Sequence, residues 1–123
     1  MAGASGTKAV GFLHGNFAWT DGAVNVSPAD QTVLADTGAL NAGNYLFAVV
    51  FTATANNAAD VQHRDSANAT TLNSTTRRCL ANASDDFIFP NKIALAANER
   101  IRVIENGTFA GTTQATIFWL EVA

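Results

Sequence analysis

The chain has 123 residues, of which 48% are hydrophobic, and this is the size and composition of one globular domain. Only 14% are charged, against about 25% in an average domain, and seven Lys and Arg against ten Asp and Glu leave a net charge of −3 without a concentrated basic patch. This composition argues against a nucleic-acid-binding protein, and the single cysteine excludes an internal disulfide and a cysteine-based zinc site.

The beginning of the chain predicts a flexible arm followed by one domain. Residues 1–8 are small and polar, so we expect an arm there and a single β-sandwich domain over residues 9–123. The first residues lack the charged start and apolar stretch of a signal peptide, and no apolar run is long enough to span a membrane. We therefore expect no membrane partner.

Short apolar runs alternate with turn residues along the rest of the chain. The runs are rich in Val, Ile, Phe and Thr and recur about every ten residues, which is typical of an all-β antiparallel sandwich, here with eight or nine strands. Asp21-Gly22 and Asn106-Gly107 suit type I′ turns and predict hairpins over 17–26 and 101–109. Further strands are predicted at 31–35, 44–54, 58–65, 87–89, 92–95 and 113–122, and the polar segment 68–82 is predicted to be a loop.

Two of these strands carry apolar side chains on both faces. Successive side chains of a strand point to opposite faces, and both parities are apolar in residues 45–51 and 117–120. An antiparallel sandwich needs only one apolar face, so a loop, the N-terminal arm or another subunit must cover the other. The register decides which set is core and which is interface. The two sets are Leu46, Val50, Phe118 and Leu120, or alternatively Tyr45, Phe47, Ile117 and Trp119.

Candidates for catalysis or metal binding are few. His63 lies between Asp60 and Asp65 on a predicted strand, but one histidine and two aspartates are also common on a polar strand without any function. An enzyme would require a pocket that draws His63 together with Asp60, Asp65 or Glu99. We therefore predict that the protein is not an enzyme and that it has no catalytic residue, no metal site and no cofactor.

Four segments follow a recognisable order: 34–40 (LADTGAL), 42–45 (AGNY), 93–103 (IALAANERIRV) and 115–120 (ATIFWL). In strand order, size and composition, over about two thirds of its length, the chain resembles the small jelly-roll decoration, or cement, proteins of tailed bacteriophage capsids. The resemblance rests on this pattern and not on a signature motif.

The resemblance implies a jelly-roll-like, non-enzymatic virion protein. Such a protein binds the outer capsid surface after assembly in the host cytoplasm and bridges neighbouring subunits of the major capsid protein. We further expect self-association, as a trimer or a dimer. The candidate interface residues are Phe12, Tyr45, Phe47, Ile117, Trp119, Arg77 and Arg78.

The alternative is a receptor- or glycan-binding jelly-roll module of a phage tail or fibre. Abundant Asn and Thr supply hydrogen-bonding groups for sugars or for a protein surface, and Trp19, Tyr45 and Trp119 are the aromatic residues that could stack on a sugar ring. This alternative predicts an exposed Trp or Tyr in a concave polar site.

Overall fold

A computed structural model describes residues 5–9 and 16–123, and these residues form two antiparallel β-sheets packed face to face. They form no α-helix, so no helix in the described ranges is long and apolar enough to cross a membrane. The strands are β1 (Ser5–Ala9), β2 (Asn16–Asp21), β3 (Asn25–Val26), β4 (Val33–Asp36), β5 (Gly43–Ala53), β6 (Asn57–Arg64), β7 (Thr71–Cys79), β8 (Ala83–Ile88), β9 (Ile93–Leu95), β10 (Arg100–Glu105) and β11 (Thr112–Val122).

The strand order is that of a jelly roll. The larger sheet runs β1-β2-β11-β5-β8, with β3 beside β11 and β9 beside β5, and the smaller sheet runs β4-β10-β6-β7. The sets β2-β11-β5-β8 and β4-β10-β6-β7 therefore form the two four-stranded layers of this fold. The prediction of an all-β, jelly-roll-like antiparallel sandwich is confirmed. The described ranges hold eleven strands, more than the eight or nine predicted, because β1 and β7 form in segments that were predicted as an arm and as a loop.

The expected arm overlaps the first strand. The backbone of β1 pairs with β2 from Ser5↔Thr20 to Ala9↔Asn16. Residues 5–8 therefore belong to the sheet, which corrects the expectation of a flexible arm for that part. Residues 1–4 of the arm and the predicted interface residue Phe12 lie outside the described residues.

The core lies between the two sheets and contains the odd-numbered set of β5 and β11. Tyr45, Phe47 and Ile117 are 4%, 1% and 0% exposed and pack against the smaller sheet. Their assignment to an interface is corrected, because side chains buried between the sheets have no surface to offer a partner. Trp119 packs on the same cluster but stays partly exposed.

The even-numbered set lies on the outer face of the larger sheet. Phe17, Ala48 and Phe118 form a second apolar cluster there and are 3%, 0% and 4% exposed within the single chain. Partly buried apolar side chains surround this cluster, namely Trp19, Leu46, Val50 and Leu120. The centre of this second apolar face is therefore covered without a second subunit.

The hairpin predicted at Asp21-Gly22 does not form. Strands β2 and β3 both pair with β11, at Thr116↔Asp21 and Thr113↔Asn25, and not with each other. The Gly22 N–H donates a hydrogen bond of 2.8 Å to the Ala115 carbonyl of β11. A Cβ at Gly22 would overlap the carbonyl oxygen of Leu34. The glycine therefore permits a close backbone approach and does not form a turn.

The hairpin predicted at Asn106-Gly107 is also wrong. Strand β10 belongs to the smaller sheet and β11 to the larger one, so residues 106–111 cross between the sheets. Gly107 does adopt a positive φ of 93°, as the sequence predicts. Phe109 is buried in the core and anchors the crossing there, instead of continuing a strand beside β10.

The segment predicted as a loop, 68–82, contains strand β7. This strand pairs with β6 from Arg64↔Thr71 to Asn57↔Cys79 and forms an edge of the smaller sheet. Most of its side chains are exposed, which explains its polar sequence, while its Thr residues have the β-branched side chains that favour strands.

Candidate functional site

A cleft of about 360 Å³ opens where β11 ends and β5 begins, and we call it the Trp119 cleft. One of its walls comes from residues 39–41, in the segment that connects β4 to β5. The lining residues are Ala18, Ala39, Leu40, Asn41, Tyr45, Trp119, Leu120 and Glu121.

Strand β11 supplies two side chains of different chemistry to this cleft. Trp119 and Glu121 are two residues apart, so both point to the same face of the strand. Trp119 packs against the core on one side and is partly exposed, whereas Glu121 is exposed. The strand therefore fixes an aromatic ring and a carboxylate next to each other at the rim of the sandwich.

Tyr45 fixes the wall of the cleft. Its hydroxyl donates a hydrogen bond of 2.7 Å to the carbonyl oxygen of Asn41, and its ring stacks on Phe47 with centroids 5.7 Å apart. Burial, and to a smaller degree the negative charge of Glu121, raises the pKa of Tyr45 above its ordinary value. The phenol therefore remains protonated at neutral pH and acts as a constant donor that holds residues 39–41 in place.

The carboxylate of Glu121 lies against the backbone of Gly43. A Cβ at position 43 would come within 2.5 Å of Glu121 Oε2, so a larger residue there would require the Glu121 side chain to move. Strand pairing places Tyr45 directly opposite Glu121, which sets the carboxylate above the first residues of β5. Glu121 can thus accept hydrogen bonds from a ligand in the cleft.

The lining of this cleft is chemically mixed. It combines an indole ring, apolar side chains and a few polar groups, as small-molecule sites commonly do. Glu121 is the one carboxylate among its described lining residues.

A larger groove, of about 530 Å³, lies at the opposite end of β5 and the start of β11. Two of its hydroxyls form hydrogen bonds with the sheet backbone, since Thr113 Oγ1 donates to the Thr52 carbonyl and Thr54 Oγ1 accepts from the Thr112 amide. No aromatic or charged side chain is among its described lining residues, which include Val24 and Ser84. This threonine groove is therefore the weaker candidate for a binding site.

The structure brings His63 to Glu99 and not to Asp60. His63 Nε2 lies 2.9 Å from Glu99 Oε1, and both side chains are mostly buried. Asp60 is on the other face of β6, where it accepts hydrogen bonds from Thr76 and Asn106. The cavity next to His63 holds only about 70 Å³, which leaves no room for a sizeable substrate.

The hydrogen-bonded side chains of His63 and Glu99 hold the turn before β10 in place. The carboxylate of Glu99 also accepts the backbone N–H of Ala96, and this amide, followed by His63, lowers the pKa of Glu99. His63 and Glu99 therefore tie the turn before β10 to β6, which is a structural role.

The remaining chemical candidates are also engaged in the fold. No group of three or more His, Cys, Asp or Glu side chains within the described ranges could hold a metal ion. Burial raises the pKa of the Cys79 thiol, which lies 3.2 Å from the carbonyl oxygen of Ala83. Arg77 is paired with Asp85, whereas Arg78 is exposed on β7.

Trp119 and Tyr45 are candidate stacking residues from the sequence alone, whereas Glu121 and residues 39–41 were not predicted to belong to a site. Strand alternation from Trp119 could have indicated Glu121, because it lies two residues further on the same face. Residues 39–41 gave no such signal, since their position depends on contacts with residues distant in sequence.

No protein-family model matches the chain, and no curated protein matches its sequence. The fold is similar to two solved structures of carbohydrate-binding modules. One is "BiXyn10A CBM1 APO", with a TM-score of 0.52, 14% sequence identity, and coverage of 86% of this chain and 74% of that one. The other is "CBM4 structure and function", with a TM-score of 0.51, 15% identity, and coverage of 90% and 73%. At these identities the likeness shows the β-sandwich fold.

Proposed function

We propose that the protein is a glycan-binding β-sandwich module and that the Trp119 cleft is its binding site. The observation that carries this proposal is the placement of the Trp119 indole and the Glu121 carboxylate on one face of β11, beside a cleft with apolar walls. The glycan-binding alternative predicts an exposed Trp or Tyr in a concave polar site; Trp119 is partly exposed and the cleft walls are largely apolar, so the cleft matches that prediction only in part.

The two side chains match the two kinds of surface on a sugar ring. An indole can cover the apolar C–H face of a pyranose, and a carboxylate accepts hydrogen bonds from hydroxyls on the ring edge. The volume of about 360 Å³ suits a short piece of a glycan. Because Tyr45 holds residues 39–41 in place, the cleft is largely formed before the ligand arrives, which lowers the cost of binding.

The structural neighbours support the proposal through their fold. Both are carbohydrate-binding modules by name, and the chain shares their sandwich fold over most of its length. Fold alone does not assign function, so the proposal depends on the chemistry of the cleft.

A glycan array followed by calorimetry on the best ligand tests this function. We expect Trp119→Ala to weaken binding by at least about tenfold, because it removes the stacking surface. Trp119→Phe, which retains an aromatic ring and the packing on the core, should keep part of the affinity. Ser84→Ala in the threonine groove is the matched control and should bind like the wild type. A chain that binds no glycan, or one whose binding is unaffected by Trp119→Ala, would refute the proposal.

Capsid decoration remains a second proposed function. It rests on the sequence resemblance and on the exposed edge strand β7, where Leu72 is 51% exposed among neutral polar side chains. Such an edge could contact the major capsid protein or a second copy of the chain on the virion surface. Light scattering gives the mass, and co-sedimentation with phage heads tests attachment. Sedimentation with the heads that free glycan does not inhibit would support this function, and no sedimentation would reject it.

A further inference from the structure

Three arginines lie side by side on the outer face of the smaller sheet, and we call them the arginine cluster: Arg64, Arg100 and Arg102. Arg64 of β6 is directly opposite Arg100 of β10, and Arg102 is two residues further along the same face. They are three of only seven Lys and Arg in a chain of net charge −3. Such a concentration is not expected from the composition.

The hydrogen bonds leave part of this cluster without a partner. Arg64 is held by Asn68 and Thr71, to which it donates three hydrogen bonds. Arg102 Nε donates to Gln62 over 2.8 Å, but neither of its Nη atoms makes a hydrogen bond within the described ranges. The Nε of Arg100 is buried and likewise has no partner there.

Negative side chains compensate the cluster only in part. Asp36 lies 3.3 Å from Arg100 Nη1, and Asp65 interacts electrostatically with Arg64. Burial, and after it the positive charge of Arg64, lowers the pKa of Arg102 despite the presence of Asp36. Three guanidinium groups with two adjoining carboxylates leave a positive charge that an anionic ligand would balance.

The cluster and the Trp119 cleft lie at the same end of the sandwich. The connection from β4 to β5 begins next to Asp36, beside the cluster, and ends at Gly43, beside the cleft. It is fixed to the start of β10, since Thr37 N–H donates to the Ile101 carbonyl and Leu40 N–H to the Glu99 carbonyl. One connection therefore separates a cationic surface from the proposed sugar site.

We propose that the arginine cluster binds the anionic groups of an acidic polysaccharide. This inference rests on the proposed glycan-binding function and adds the class of ligand. The planar guanidinium of Arg102 can donate two parallel N–H bonds to a carboxylate or a sulfate, which a lysine cannot do. Both anions share this oxygen geometry, and the binding experiment separates them.

Binding to three immobilised polymers tests the inference: polygalacturonate, its methyl-esterified form and dextran sulfate. Esterification removes the charge and keeps the sugar backbone. We expect polygalacturonate to bind about tenfold more tightly than its ester, with a difference that shrinks in 0.5 M salt. Tighter binding of dextran sulfate than of polygalacturonate would assign a sulfate as the anion, and the reverse a carboxylate.

Two variants of equal net charge make the test specific. Arg102→Gln should remove the preference for the acid over the ester. Arg78→Gln, on the same face at the far end of β7, should keep it. Equal binding of acid and ester by the wild type, or an equal loss in both variants, would overturn the inference.

The two proposals fail in different ways. If the ester binds and Trp119→Ala abolishes that binding, but no charge preference exists, the sugar site stands and the arginine site is rejected. If Arg102→Gln reduces binding of the acid while Trp119→Ala changes nothing, the arginine site stands and the sugar site is rejected.

Discussion

Arg77 of β7 and Asp85 of β8 form a bidentate ion pair that joins the two sheets along their edge. Nε and Nη2 of Arg77 each donate to one oxygen of Asp85 over 2.8 Å. The same guanidinium lies 4.4 Å above the centre of the Phe87 ring. The hydrogen bonds from Arg77 to Asp85 raise the pKa of Arg77, so this predicted interface residue has a partner within the chain.

Replacement of Arg77 should destabilise this edge of the sandwich. Arg77→Gln loses both charge-assisted hydrogen bonds and the contact with Phe87, and we expect a loss of about 1–2 kcal/mol in the free energy of unfolding, since the site is partly exposed. Urea denaturation measures it. Arg78→Gln, at the exposed neighbouring position, is the control and should change stability by less than about 0.5 kcal/mol. Equal effects of the two variants would show that the ion pair contributes nothing.

Glu105 should make the protein less stable as the pH rises. It is fully buried, Asn57 donates to its Oε1 over 2.9 Å, and its Oε2 has no partner among the described residues. Burial raises its pKa in the folded state. Glu105 therefore makes its full contribution to the free energy of unfolding below its pKa in the unfolded state, about 4.3. This contribution is lost as the pH rises through the pKa of Glu105 in the folded state.

Glu105→Gln should remove this loss, because the amide does not ionise. Relative to the wild type, the free energy of unfolding of the variant should improve as the pH rises from about 4 to about 7. Urea denaturation across this range provides the comparison. If the difference in free energy of unfolding between the variant and the wild type stays constant with pH, the pKa of Glu105 is the same in the folded and unfolded states.

Glu99 should show the opposite dependence. The Ala96 amide and His63 lower its pKa in the folded state, so its stabilising contribution is present above the unfolded pKa and disappears as the pH falls through the folded pKa. Glu99→Gln should be less stable than the wild type at pH 7, and the two should converge towards pH 3. If the difference in free energy of unfolding between Glu99→Gln and the wild type persists at pH 3, the effect comes from packing and not from the charge of Glu99.

Gly22 should tolerate no side chain. In Gly22→Ala the new Cβ overlaps the Leu34 carbonyl oxygen, so we expect a loss of more than about 3 kcal/mol or failure to fold. Gly107→Ala is the comparison, because its Cβ meets open space and only the positive φ is strained, at a cost of about 1 kcal/mol. Thermal unfolding separates the two. Similar melting temperatures would contradict the close approach at Gly22.

The sequence was sufficient to predict a sandwich, but not its pairing. The double apolar alternation of residues 45–51 and 117–120 correctly indicated two apolar faces, since alternation is a local property. Which face forms the core depends on the register against distant strands, and this could not be inferred. Asp21-Gly22 has the local chemistry of a hairpin, but hydrogen bonds to β11, more than ninety positions away, keep the chain extended.

The candidate site was only partly predictable, for the same reason. Trp119 and Tyr45 were identified as stacking residues from their type alone. The cleft between them exists because residues 37–42 are held by backbone bonds to Glu99 and Ile101, some sixty positions further along. The arginine cluster likewise forms through pairing of β6 with β10 and does not appear as a run in the sequence.

The emission of Trp119 itself tests the central claim most directly. In a Trp19→Phe background, Trp119 is the only tryptophan, and a glycan stacked on its indole displaces water from the ring. Titration with the best array ligand should produce a saturable blue shift whose Kd equals the calorimetric value, and the Trp119→Phe protein should show no such shift. Glycan binding in the calorimeter without any change in Trp119 emission would contradict the assignment of this cleft.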